Sequence, residues 1–273
     1  MSSEASSYTH GYHRSVLRAH DNRTVENSAH YLLEELRPGK SLLDVGSGVG
    51  TITADLARRL SPGCVTAFEV STEALALTRG EVERQGLENV DFVLGDAHAL
   101  EFAPASFDIV HAHQVLQHLA DPVLALREMK RVCRPGGTVA ARDADYAGFV
   151  WFPQLPELDE WLAWYQQLAR SNGGEPNAGR HLLSWAHQAG FTEVVSTSST
   201  WCLSTPQSRT WWGAMWAERI LDSRIACQLL DRGIASRGDL ERVSRAWLRW
   251  AAADDGWMSM VHGEILCCDR SRV

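Results

Sequence analysis

Two rhythms of apolar positions alternate along the first half of this chain. Short apolar runs read as buried strands, and the stretches between them repeat apolar residues roughly every three to four positions, as a helix packed by one face does. Residues 42–45 form the first run, and residues 51–60 follow with good helix formers. Residues 63–68 read as a second strand ending at Glu69, and residues 73–85 as a helix stopped by Gly86. Residues 89–94 alternate as a third strand, followed by Gly95-Asp96-Ala97. Residues 106–113 give the fourth strand, and residues 123–132 a helix with Leu124, Leu126, Met129 and Val132 inward. Arg134-Pro135-Gly136-Gly137 stops that helix, and residues 138–141 make the fifth strand. Ahead of the first strand, Ser28, Tyr31, Leu32 and Leu36 recur at helical spacing, so a helix is expected to end near Arg37, before Pro38-Gly39.

Past residue 145 the helical rhythm takes over. Residues 156–169 carry Leu158, Trp161, Leu162, Tyr165 and Leu168 as one stripe, and residues 180–189 form a helix ended by Gly190. Residues 191–203 are β-rich and give a sixth strand. Residues 208–221 and 238–253 read as helices, the second with Leu240, Val243, Trp247 and Trp250 on one side, and residues 257–268 alternate loosely as a seventh strand. The expected fold is α/β: a seven-stranded, mostly parallel sheet with helices on both faces. Helical insertions, about 146–180 and 204–256, would cap the C-terminal strand ends, where open α/β sheets bind ligands. Residues 1–36 are expected to be an N-terminal helical arm or lid, 37–145 the cofactor-binding core, and 146–273 the rest of the sheet with its cap. Composition marks the same division, because all 11 tryptophans lie between Trp151 and Trp257. Tryptophan stripes are more often core than ligand cage, yet so many in one half point to a roomy aromatic-lined cap for planar or hydrophobic molecules.

The turn after the first strand narrows the chemistry. Strand, glycine turn and helix open a nucleotide-binding unit: glycines let a ligand approach the backbone, and the helix N-terminus offers free N–H groups. A dinucleotide fingerprint, G-x-G-x-x-G, would place a glycine at position 51, which is Thr51. The third glycine is Gly50 instead. The result, Asp44-x-Gly46-Ser47-Gly48-x-Gly50, resembles the first motif of the class I S-adenosylmethionine-dependent methyltransferases. Glu69 stands 19 residues after Gly50, near the separation of a carboxylate that accepts hydrogen bonds from ribose hydroxyls, and Val70 beside it is placed against the adenine face. The Phe107-Asp108 strand, Leu116-x-His118, Asp121-Pro122 and Arg134-Pro135-Gly136-Gly137 follow in order. Over about residues 37–145 this series resembles small-molecule methyltransferases of the ubiquinone/menaquinone-biosynthesis type, although Gln117 stands where relatives often carry a second histidine. The resemblance implies a Rossmann-like sheet, S-adenosylmethionine as cofactor and S-adenosylhomocysteine as product. It implies a cofactor site of Asp44, Gly46, Ser47, Gly48, Glu69, Val70, Asp96, Ala97, His113 and Gln114, with adenine at Asp96 and Ala97. It also implies an N-terminal segment, here Tyr12 and His13, folded over that site.

Methyl transfer from a sulfonium asks mainly for alignment, which supplies roughly 7–11 kcal/mol, and needs no metal. An oxygen or carbon nucleophile must also shed a proton, for which histidine is the best-tuned side chain. His111, His113 and His118 cluster at the end of the fourth strand, and alternation puts His111 and His113 on one face and Ala112 on the other. His113, the last strand residue, is the first candidate base, with His111 and Asp143 behind it and Asp145 and Tyr146 as further pocket candidates. Packing, capping or a solvated acidic turn are the alternatives for each. A net charge of −8 without a basic cluster argues against nucleic acid. Residues 1–7 lack the apolar core of a secretory signal, and no apolar run reaches membrane-spanning length. The 6 cysteines contain no C-x-x-C pair and read as thiols of a cytosolic protein. The expectation is a cytoplasmic methyltransferase acting on O, N or C of a small, largely apolar or aromatic molecule, from secondary metabolism or with a quinone-like ring. The apolar cap as a homo-oligomer surface stays open. The rivals are an NAD(P)-dependent oxidoreductase and a methyltransferase-fold protein that keeps the cofactor without transferring a methyl.

Overall fold

A computed structural model describes residues 23–268. Its centre is β1 (Leu42–Val45) and β2 (Val65–Glu69), buried along their whole length, as strands covered on both faces must be. With β3 (Val90–Leu94), β4 (Phe107–His113) and β5 (Cys133–Ala144) they form a parallel array in the order β3-β2-β1-β4-β5. β8 (Trp257–Cys268) pairs antiparallel with β5, and β7 (Glu193–Leu203) runs antiparallel along the other edge of β8.

The sheet has eight strands rather than the expected seven. The extra one, β6 (Val150–Phe152), continues along β8 beyond the end of β5, with Trp151 opposite Met258. It falls in the first stretch read as helical cap, and three residues are too few to show an alternation. β5 is also longer than expected. Arg134–Gly137 is an irregularity within it, marked by a register jump between Phe107 and Ile109 on β4.

Helix α1 (Val25–Ser28) is a single turn, followed by a 3₁₀ helix over His30–Glu35, so the helix expected to end near Arg37 is corrected to two short pieces. A repeat near three fits a 3₁₀ turn as well as an α-helix. Next come α2 (Thr51–Leu60), α3 (Thr72–Arg84) and α4 (Pro122–Val132). The Asp121 side chain accepts from Leu124 N–H to start α4, with Pro122 in its first turn. Leu124 is exposed, and Ala125 takes the inner position expected of it. α5 (Pro156–Ser171), α6 (Leu182–Gln188), α7 (Pro206–Asp222) and α9 (Arg237–Ala252) lie where the pattern put helices, while α8 (Arg224–Asp231) was not foreseen. Capping boxes, Thr205 with Ser208 and Ser236 with Asp239, open α7 and α9.

Three apolar clusters hold these layers together. On one face Leu43, Val110, Ala112 and Val139 meet Leu126 and Met129 of α4 and Leu182 of α6. On the other, Leu42, Ile109 and Ala140 meet Val25, Leu32, Ile52 and Leu56. The third joins α5, α7, α8 and α9. There Trp161 meets Trp216 at 4.6 Å and Trp247 at 4.8 Å, both edge to face, an arrangement worth about 0.5–1.5 kcal/mol per pair. Trp161, Trp216, Trp247 and Trp250 are at most 1% exposed. They are the filling of this cluster, as the core reading of a helical tryptophan stripe expects, and these four line no roomy cap. No helix among the described residues is long and apolar enough to cross a membrane.

Candidate active site

The loop after β1 is shaped by three glycines with positive φ: Gly46 (75°), Gly48 (60°) and Gly50 (87°). At position 50 a Cβ would stand 2.7 Å from the Thr78 backbone, and at position 46 it would stand 2.4 Å from Val115 Cγ2. Thr78, on α3, pins the loop from behind: its hydroxyl donates to the Gly48 carbonyl at 2.9 Å and lies 3.0 Å from the Ser47 hydroxyl. Nothing in the sequence pattern marked this threonine. Asp44 is buried beneath the loop, accepting from the Thr53 hydroxyl at 2.6 Å and meeting His111 Nδ1 at 2.8 Å. Asp44 and His111 therefore brace β1, β4 and α2 against one another.

Glu69 closes the other side of the loop. Its carboxylate accepts from Gly48 N–H at 3.1 Å, Val70 N–H at 2.9 Å and Ser71 N–H at 3.3 Å. Burial raises its carboxyl above the usual range, and these three N–H groups offset part of that. Val70 is 70% exposed beside it, an open apolar face of the kind a flat ring covers. Asp96 lies on the open rim, accepting from His98 N–H at 2.9 Å with His98 Nδ1 at 2.7 Å, while the Ala97 side chain is buried.

At the end of β4 the chain turns through Gln114, a non-glycine residue with φ 54°. Arg23 donates to Gln114 Oε1 at 2.8 Å, Gln114 Nε2 donates to His262 Nε2 at 2.9 Å, and His262 Nδ1 donates to the Met260 carbonyl at 3.0 Å. That order fixes the neutral tautomer of His262, and burial, with Arg142 and Arg23 nearby, opposes its protonation. His113 is buried, and neither ring nitrogen has a partner. Burial first, then the charges of Arg23 and Arg142, holds it well below the usual histidine range, so the ring is neutral.

His111 and His113 share a face of β4, as alternation predicted. Asp143 faces the opposite side, accepting from Gln117 N–H at 3.0 Å, so the three candidate catalytic residues do not converge. Burial pushes the Asp143 carboxyl up to about 8. His118 is half-buried beside the Gln117 amide at 3.0 Å, and desolvation, with Arg23 adding to the shift, pushes it down to about 3. Asp145 is committed to Arg180 at 2.6 and 2.7 Å, and Tyr146 stacks between Tyr165 and Phe149. Tyr12 and His13 lie outside the described residues.

Sequence reasoning missed Arg23, Arg142, Trp201, His262 and Glu264. One signal was available: Arg142 and Glu264 are charges inside otherwise apolar strands, and such charges are rarely buried unless paired. They are neighbours across β5 and β8, with Arg142 Nε 3.2 Å from Glu264 Oε1.

A parallel sheet, a cradle that a Cβ would fill and a strand-end carboxylate able to accept two hydroxyl donors define a nucleoside-binding α/β protein, and they fit the adenosine portion of S-adenosylmethionine. The family model of a methyltransferase domain matches residues 36–201. An uncharacterized methyltransferase of Schizosaccharomyces pombe is 36% identical over 270 residues, covering 95% of each chain. A demethylmenaquinone methyltransferase of Lactococcus lactis is 31% identical over 170 residues, covering 57% of this chain and 67% of its own. Among solved structures, a Haemonchus contortus phosphoethanolamine N-methyltransferase, crystallised with S-adenosylhomocysteine, shares the fold at a TM-score of 0.55 and 20% identity, covering 88% of this chain and 52% of its own. The chain belongs to the methyltransferase-domain family and is an S-adenosylmethionine-dependent enzyme. The nicotinamide reading falls with this result, in line with Thr51 standing where a dinucleotide loop needs glycine.

Proposed function

We propose that this enzyme methylates an O, N or C nucleophile of a small, largely apolar or aromatic molecule, in the cytoplasm and with no nucleic-acid partner. When bound, S-adenosylmethionine supplies a methyl on a positively charged sulfur, and the acceptor displaces that sulfur in line. The Gly46–Gly50 backbone and Glu69 hold the nucleoside, and Val70, Asp96 and Ala97 surround the adenine. Gln114, fixed between Arg23 and His262, sets the boundary between cofactor and acceptor. The contact from Arg23 supports reading residues 1–36 as an arm over the site, with residues 37–145 as core and the later helices as a cap.

One observation carries the acceptor side of this reading. His113 ends β4 as a buried, neutral imidazole with both nitrogens open, next to the residue that turns toward the cofactor loop. Such a ring accepts the proton that an O–H or N–H acceptor sheds. His111 is less able to, because its Nδ1 is held by Asp44. The test pairs calorimetric titration of S-adenosylhomocysteine with methyl transfer to a panel of small phenols, quinols and aromatic amines, in wild type and His113→Gln. Both proteins should bind S-adenosylhomocysteine, and the variant should turn over about 10²–10⁴-fold more slowly. Wild-type turnover by the variant removes His113 as the base.

A further inference from the structure

The cofactor loop is saturated with hydrogen bonds, but the sheet face beyond β4 is not. Arg142 Nη1, both nitrogens of His113, His111 Nε2 and the Tyr31 hydroxyl are buried without partners. Native interiors leave few such atoms, and several on one face ask for a ligand. The register places the strand side chains together, and Tyr31, on the 3₁₀ helix, packs on the sheet face that carries Ala140, two residues before Arg142. His113 and Arg142 are neighbours across β4 and β5, Arg142 and Glu264 across β5 and β8, and Glu264 and Thr197 across β8 and β7. Glu264 is satisfied: it accepts from the Thr197 hydroxyl at 2.8 Å, the Ser199 hydroxyl at 2.5 Å and Arg142 Nε at 3.2 Å. That arrangement uses one edge of the Arg142 guanidinium and leaves Nη1 pointing elsewhere.

Trp201 stands over this row. Its ring lies 5.0 Å from the Arg142 guanidinium, 5.4 Å from that of Arg23, 4.5 Å from the His262 ring and 6.1 Å from the His113 ring. Its indole N–H donates to the Asn27 carbonyl at 2.7 Å, which fixes the ring plane. The charges facing this indole are Arg23 and Arg142 against Glu264, since His113 and His262 are neutral, Asp143 faces the other way and Asp44 is tied to Thr53 and His111. Arg142 thus presents a cationic N–H without a partner beside a flat aromatic platform.

We infer that Trp201, Arg142, His113 and Tyr31 form the acceptor subsite, and that it takes an acceptor bearing an acidic oxygen on a planar ring, bound as the oxyanion. Arg142 Nη1 and the Tyr31 hydroxyl donate to that oxygen, and the Trp201 indole stacks on the ring. A charge-assisted hydrogen bond in a buried site is stronger than a neutral one, so Arg142 determines specificity for the ionised acceptor. This rests on the methyl-transfer reading above and deepens it.

The test uses 4-nitrophenol, whose phenolate absorbs where the neutral phenol does not. It is titrated into protein saturated with S-adenosylhomocysteine, at a pH below its solution pKa. Wild type should bind it as phenolate, and nitrobenzene, which lacks the hydroxyl, should bind about ten- to a hundredfold more weakly. Arg142→Met and Tyr31→Phe should each weaken phenolate binding by a similar factor and keep their affinity for S-adenosylhomocysteine. Tyr31→Phe deletes a single oxygen and reads the site even if Arg142→Met does not fold. Binding of the neutral phenol, equal binding of nitrobenzene, no phenolate signal, or unchanged phenolate affinity in the variants overturns the inference. Loss of S-adenosylhomocysteine binding in the variants would assign these residues to the cofactor and overturn it too. Failure of wild type to bind S-adenosylhomocysteine would instead strike the methyl-transfer reading itself.

Discussion

At the ends of β1 and β2, the buried polar side chains Asp44, Ser47, Thr53, Glu69 and Thr78 all have partners. At the end of β4 and on the facing parts of β5 and β8, Arg142 and His113 keep buried atoms without one. The two regions share one sheet but stand at different stages of readiness. A cradle whose hydrogen bonds are already made does its ordering during folding, so binding need not supply that ordering again. A face that buries Arg142 Nη1 and both His113 nitrogens without partners stays in tension until a molecule of the right chemistry arrives. One side is built for a constant cofactor, the other for a particular acceptor.

The comparison is broken most forcefully at Glu264. Glu264→Leu leaves Arg142 as an unpaired buried charge, which is expected to cost about 3–5 kcal/mol in urea unfolding. Arg142→Met in the same chain should recover most of that loss, because two apolar side chains then replace a buried ion pair. A mild single variant would show that the acceptor side holds no such tension.

The cofactor side is tested next at Gly50. With φ 87° and the Thr78 backbone 2.7 Å from a would-be Cβ, Gly50→Ala is expected to cost about 1–3 kcal/mol in backbone strain, plus the overlap. Unfolding should register this together with a loss of S-adenosylhomocysteine affinity. Glu69→Ala sharpens the same side more gently. It removes the ribose acceptor, so calorimetry should show S-adenosylhomocysteine binding weakened by about 1–3 kcal/mol. An unaltered affinity would make Glu69 only a brace for Gly48, Val70 and Ser71.

The same division governs how much was legible in the sequence. The cofactor loop is written within a few residues of itself. Gly46 to Gly50 follow a buried strand, and Glu69 ends the next one, so local pattern was enough to place them. The acceptor face is assembled from residues 113, 142, 201, 262 and 264, which only strand pairing brings together, and from residue 31, which the 3₁₀ helix packs onto the sheet. Its register depends on β8 lying between β5 and β7, and no local pattern states that. Asp143 shows the limit in another way. A fifth strand ending at residue 141 leaves Asp143 just past it as a pocket candidate, whereas β5 continues through Ala144 and alternation turns Asp143 away from His113. For the tryptophans, helical spacing marks an apolar face, more often core than ligand cage, but does not state which helix covers it. Here Trp161, Trp216 and Trp247 cover one another.

The last comparison is in pH, where each step of one unit has a small effect, and it separates the two faces of the sheet. Asp143 has its carboxyl pushed from 3.8 to about 8 by burial, so between those values the folded chain holds a proton that the unfolded chain has released. Stability from this group therefore falls as pH rises, by at most about 1.4 kcal/mol per pH unit. His118, pushed from 6.5 to about 3, acts in the opposite direction, as do His113 and His262 with their lowered values. In that window the unfolded chain binds the extra protons, so stability rises with pH up to about 6.5. The histidines outnumber the aspartate below that point, and above it Asp143 acts with little opposition from them. Denaturant unfolding across pH should thus show an acid limb, a maximum near the histidine range and a shallower decline toward pH 8. Asp143→Asn, which keeps the acceptor for Gln117 N–H but cannot ionise, should flatten the alkaline limb and, because Asp143 opposes the histidines from 3.8 upward, steepen the upper part of the acid limb. His113→Gln should do the reverse, reducing the acid limb alone. If His113→Gln altered the alkaline limb, or Asp143→Asn left it unchanged, the separation of the Asp143 face from the His113 face would fail.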